Sequence, residues 1–103
     1  MDDNKIYSLL SLCQKAGKLA SGEFAVENAI KGGKACTVIV SNDASANTSK
    51  KFRDKCDYYN VPFFMFGEKE KLGHAIGKEV RTSVAITDEG FAKSFQKNLR
   101  VDE

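Results

Sequence analysis

The chain has 103 residues, 42% hydrophobic and 29% charged, with a net charge of +2. That composition is ordinary for a soluble globular protein, and the length suits one modest core, so a single domain over residues 1–103 is expected. The longest apolar runs are about five residues, far below the ~20 that span a bilayer, and the acidic MDDNK start is unlike a secretory signal, so a cytoplasmic, non-membrane protein is expected.

In chain order, Ile6, Leu9, Leu10, Cys13 and Ala16 recur at helical spacing and predict a helix over 5–16, stopped by Gly17. A second helix is predicted over about 23–31 and closed by Gly32 and Gly33. The β-branched run CTVIV at 36–40 reads as a strand covered on both faces. Residues 42–47 carry turn chemistry, with Ser45 or Asn47 as the N-cap of a third helix. That helix should turn Phe52, Cys56 and Tyr59 inward and Lys50, Lys51, Arg53 and Lys55 outward. Val61 and Pro62 open a second apolar strand at 63–66, and a short helix around 69–76 follows Gly67. The loop 77–82 leads into a third strand at 83–87. Asp88 or Glu89 then caps a last helix with Phe91, Phe95 and Leu99 on one stripe. This alternation indicates a small α/β sandwich with helices on both faces of the sheet.

Chemistry-bearing constellations are scarce. His74 is the only histidine and no CxxC occurs, which argues against a zinc site and reads His74 as an ordinary helix residue. The three cysteines, Cys13, Cys36 and Cys56, are odd in number and scattered, and read as reduced thiols used as small apolar residues. There is no GxxxxGK[ST] and no GxGxxG after a strand. No catalytic residue, metal or cofactor is expected. The aromatics Phe63, Phe64 and Phe66 have the makings of a base-stacking platform, but their continuous apolar run argues for core. Between Lys15 and Lys55 there is a local excess of four positive charges, compatible with a nucleic-acid footprint or with a solvated face.

One stretch, GKLASGEFAVENAIKGGKA at 17–35, asks for more. On a helical wheel with Val26 at zero, Ile30 and Ala29 join Val26 on the core side and Ala25 sits at the edge. Phe24, Asn28 and Lys31 fall almost opposite, so an aromatic, an amide and a lysine share the outer face. Phe24 lies in the first turn, where backbone N–H groups have no intrahelical partner and the helix dipole is positive. Gly22 removes a side chain just before that end, so a phosphate could approach closely, with Lys18 and Lys31 adding charge. A base could rest on Phe24. The other reading is a capped helix whose Phe24 packs under a neighbouring loop, and the residues alone leave both open.

The succession LLSLCQKAGKLASG, AIKGGKACTVIVSNDASANTSKKF, CDYYNVPFF, LGHAIGK and SVAITDEGFAKSF resembles, over almost the whole chain, the kink-turn-binding ribosomal protein family of the L-seven-Ae and L-thirty-e type. The SGE opening and TDEGFAK close look most like its small bacterial members. The resemblance implies a three-layer α-β-α sandwich with a mixed sheet of about four strands, the first a short one at 18–20. It implies a non-enzymatic RNA-binding protein whose partners are ribosomal or other structured RNA and ribosomal or translation proteins. In the family, RNA meets the N-terminal end of the second helix and the loop before the last strand. Carried over by position, these are Gly22, Glu23, Phe24 and Asn28, and the loop Lys78, Glu79, Val80, Arg81 and Thr82. The family's helix motif reads Gly-Thr-Asn-Glu-Val-x-Lys. Here Gly22 matches, but the Asn, Glu and Lys that read sheared G·A pairs are replaced by Phe24, Ala25 and Asn28. The loop also lacks the family's proline. Neither Phe24 nor Ala25 has a side chain that hydrogen-bonds to a base edge, so an altered base readout is expected, and Glu23 is expected to repel RNA. The alternative is a protein-interaction module on the same fold, anchored by Phe24 and Val80.

Overall fold

Five helices and four strands follow one another in a computed structural model that describes residues 3–99. The order is α1 (Asp3–Lys15), β1 (Leu19–Ser21), α2 (Glu23–Lys31), β2 (Thr37–Val40), α3 (Ala46–Tyr59), β3 (Phe63–Met65), α4 (Lys69–Ala75), β4 (Ser83–Ile86) and α5 (Glu89–Leu99). The strands form one sheet in the order β1-β4-β2-β3. β4 runs antiparallel to both its neighbours, while β2 and β3 are parallel, so the sheet is mixed.

Strand alternation sorts the core into two layers. Val38, Val40 and Ala85 point to one face and meet Val26 and Ile30 of α2 and Phe52 and Cys56 of α3. Ile39, Val84 and Ile86 point to the other and meet Ile6 and Leu10 of α1, Leu72 of α4 and Phe95 of α5. Both faces of β2 and β4 are therefore covered, which is why these central strands carry no apolar–polar alternation. The three-layer sandwich expected from the resemblance is the architecture found.

Local signals act where expected. Ser45 caps α3, its Oγ accepting the Thr48 N–H at 3.1 Å. Asp88 takes the corresponding role for α5, accepting the Phe91 N–H at 3.0 Å. Three details differ. β1 occupies Leu19–Ser21, one residue later than expected, because its register is set by pairing with β4, Leu19 opposite Ile86. β3 stops at Met65, and Phe66 leaves the strand to pack in the core beside Tyr7 and Phe95. Tyr59, expected inward, is 41% exposed and lies edge-on against Tyr58. The left-handed turn at Asn60 that ends α3 follows at once.

Candidate nucleic-acid interface

Gly22 joins the edge strand β1 to α2. Its N–H donates to the Ser83 carbonyl of β4, and its own carbonyl receives the Val26 N–H to begin the helix. Its φ of 94° lies in the region that favours glycine. No side chain caps the helix, so the first-turn amides of α2 remain available to an outside acceptor.

Arg81, in the loop before β4, is brought to this end. Its Nε donates to Ser21 Oγ at 3.2 Å, and its Nη1 donates to the Val80 carbonyl at 2.7 Å. A Cβ placed on Gly22 would stand 3.9 Å from the Arg81 Nε. The guanidinium is thus held against the positive end of α2 and keeps donors free. The loop itself is tied down at three points. Lys78 N–H donates to the Gly73 carbonyl, Arg81 N–H to the Lys69 carbonyl, and Ser41 N–H to the Thr82 carbonyl. Lys78, Glu79 and Val80 are exposed, and Thr82 is half-buried.

The outer face of α2 follows the wheel. Val26, Ala29 and Ile30 are buried, whereas Phe24 is 79% exposed and no loop covers it. Asn28 and Lys31 share its solvent side. A cavity of about 470 Å³ opens beside Phe24, bounded also by Asn28, Lys34 and Thr87.

The sequence-predicted residues do not all converge. Gly22, Glu23, Phe24 and Arg81 gather at the N-terminal end of α2. Lys31 stands at the helix's other end and pairs with Glu27 at 3.5 Å. Lys18 precedes β1 at the end of that strand remote from α2, its carbonyl accepting the N–H of Thr87, a residue of the cavity lining. Glu23 is not an isolated repulsive charge, because Lys51 Nζ lies 2.9 Å from its Oε1.

That contact belongs to a clasp the sequence reading did not identify. Glu27 meets Lys51 at 3.1 Å, Lys55 at 3.3 Å and Lys31 at 3.5 Å. The signal was present: Glu23 and Glu27 on α2, and Lys51 and Lys55 on α3, each stand four residues apart, and such pairs share a helix face. The hydrogen bond from Lys51, then that from Lys55, pulls the Glu27 carboxyl from its ordinary 4.5 to about 2. The clasp is therefore fully formed above about 4.5 and is lost as the pH falls through about 2. Wild-type protein should exceed Glu27→Gln in urea resistance at pH 6, and the two midpoints should converge as the pH approaches 2. A difference that stayed constant down to the lowest pH would show that the carboxylate charge is not what matters.

The described residues hold no group of three or more His, Cys, Asp or Glu suited to a metal. Burial, with Asp88 adding a smaller push on Cys13, raises the Cys13 and Cys56 thiols to about 11, and they are protonated at neutral pH. No described helix is long and apolar enough to cross a membrane.

The sequence model of the ribosomal protein L7Ae/L30e/S12e/Gadd45 family matches residues 4–96. The chain is 46% identical over 89 residues to the RNA-binding protein YlxQ of Bacillus subtilis, covering 86% of this chain and 89% of that one. It is 44% identical over 93 residues to the RNA-binding protein YlxQ of Enterococcus faecium, covering 90% and 89%. Among solved structures it is similar to a Bacillus halodurans protein of unknown function, with a TM-score of 0.89, 38% identity, and 96% and 98% of the two chains covered. A Giardia lamblia 15.5kD RNA binding protein shares the fold, with a TM-score of 0.80 at 18% identity over 92% and 82% of the chains.

Proposed function

The chain belongs to the ribosomal protein L7Ae/L30e/S12e/Gadd45 family, and from that premise we propose that it is a non-enzymatic, cytoplasmic RNA-binding protein. Its ligand is ribosomal or other structured RNA with kink-turn-like geometry, met by the N-terminal end of α2 and the loop 78–82. Base readout differs from the family pattern. Phe24 and Ala25 offer a ring and a methyl where polar readers stand in the resemblance, so stacking and backbone contacts replace edge-specific hydrogen bonds there. Ribosomal or translation proteins are the natural neighbours of such an RNA, and no membrane is involved.

The observation that carries this reading is the joint placement of the uncapped α2 amides, Gly22 and the Arg81 guanidinium. Together they form a compact site for a phosphate oxygen, with Phe24 two residues beyond Gly22 for the adjoining base. Glu23, neutralised by Lys51, does not oppose the approach.

Filter-binding titration on ribosomal RNA is expected to show affinity that falls steeply with salt. Phe24→Ala should weaken binding by about 1–3 kcal/mol. Unchanged affinity in that variant removes the ring from the site. No retention at low salt, with a protein partner that survives nuclease treatment, would turn the same surface into a protein-docking face.

A further inference from the structure

Two of the open cavities on the described surface differ in their chemistry. The larger, about 1050 Å³ between α1 and α4, mixes the acids Asp3, Glu70 and Glu79 with the bases Lys71 and Lys78, so its charges offer a polyanion no clear net attraction. The smaller, beside Phe24, has no acid in its lining. Half of its lining is small residues, Ala20, Ala25, Ala29 and Gly32. Its wall is the exposed Phe24 ring, and its polar groups are Asn28, Thr87 and Lys34. Small residues leave room for something flat. The ring offers a stacking face. An amide that both donates and accepts, with a hydroxyl and an ammonium, can meet the edge of a heterocycle.

The charges point the same way. Lys31, Lys51 and Lys55 are engaged with Glu23 and Glu27. Lys34, on the cavity lining, and Lys18, next to Thr87 at its rim, have no ion-pair partner among the described residues. Arg81 at the helix terminus, and Lys34 and Lys18 beside the acid-free cavity, are therefore all left for an outside anion.

Resting on the RNA reading above, we infer that this cavity is a nucleobase pocket. A single unstacked nucleotide leaves its strand and lays its base against Phe24. Asn28 and Thr87 meet the base edge, and Lys34 and Lys18 hold the flanking phosphates. The pocket takes its lining from β1, α2, the loop after α2 and Thr87, and none from the loop 78–82, so it lengthens the interface past the helix terminus. It also selects RNA in which one base is free to swing out.

The chain has no tryptophan, so Phe24→Trp introduces a single reporter. Its emission should be quenched saturably by a single-stranded RNA hexamer but not by the same sequence held in a duplex. Adding Lys34→Glu should weaken that titration about tenfold or more, an effect of the size that charge reversal at a stacked nucleotide produces. In the otherwise wild-type protein, Lys34→Glu should weaken filter retention of ribosomal RNA at least about fivefold, while Lys93→Glu on α5, the same charge change elsewhere, should not. Equal quenching by strand and duplex, or equal losses from the two charge reversals, would overturn the pocket. Absence of hexamer quenching with ribosomal RNA still retained overturns the pocket and leaves the RNA reading standing. Failure of both probes brings down the two together.

Discussion

Gly73→Ala should destabilise the protein by about 1–3 kcal/mol and weaken RNA retention with it. The usual helix expectation runs the other way, since alanine in a helix interior is favoured over glycine by about 1 kcal/mol. The clash decides the sign. A Cβ on Gly73 would stand 2.6 Å from the Glu79 carbonyl oxygen, 2.7 Å from its carbon and 2.8 Å from the Val80 nitrogen. All three are backbone atoms, so no side-chain rotation relieves them. The same glycine's carbonyl receives the Lys78 and Ile76 amides. α4 and the loop 78–82 are thus fitted to each other at this one position, and the added methyl must push the loop, with Arg81, away from Gly22. Urea denaturation and filter retention measured on the same preparation check both halves. A variant as stable as wild type with unchanged retention would show that the loop has slack.

Phe95→Ala should cost more, about 3–5 kcal/mol. The ring is fully buried beneath the sheet and packs edge-on against Phe64 at 5.6 Å and Phe66 at 6.3 Å. Its removal leaves a hole bounded by α1, α5 and the strands, which three rigid elements cannot close. Total stabilities of such domains are only about 5–15 kcal/mol, so the thermal midpoint should fall by some tens of degrees. Phe24→Ala is the matched comparison. That ring is 79% exposed and its loss should leave the midpoint within a few degrees. If both variants melted alike, the division of the phenylalanines into core and surface would be wrong.

The helices were legible because their apolar residues keep the helical period and their ends carry Ser45, Asp88 or glycine. β2 and β4 were legible as unbroken apolar runs. β1 was not legible from its residues: Leu19, Ala20 and Ser21 have no strand signature, and only the resemblance supplied a strand there. Its existence depends on β4, which lies more than sixty residues later in the chain. At the site, the wheel placed Phe24 outward because exposure on a helix follows from spacing alone. What spacing does not disclose is which helix lies next door. Glu23 read as an acid without a partner, and its partner Lys51 is revealed only by the packing of α2 on α3; the partner of Lys31 was legible, since Glu27 stands four residues before it on the predicted helix. Lys34 and Thr87 went unnoticed because the loop after α2 and the end of β4 become neighbours only once the sheet closes.

The clasp between α2 and α3 has one more consequence. Of the eight basic residues between Lys15 and Lys55, Lys31, Lys50, Lys51 and Lys55 are matched by carboxylates, and Arg53 lies over the Phe63 ring. The pairing leaves the excess of four positive charges unchanged, because those carboxylates are already in the count, but it fixes where the charge sits. Lys15, Lys18, Lys34 and Arg53 are the bases of this stretch with no carboxylate on them among the described residues. What the region offers a polyanion is therefore a matter of position more than of total charge.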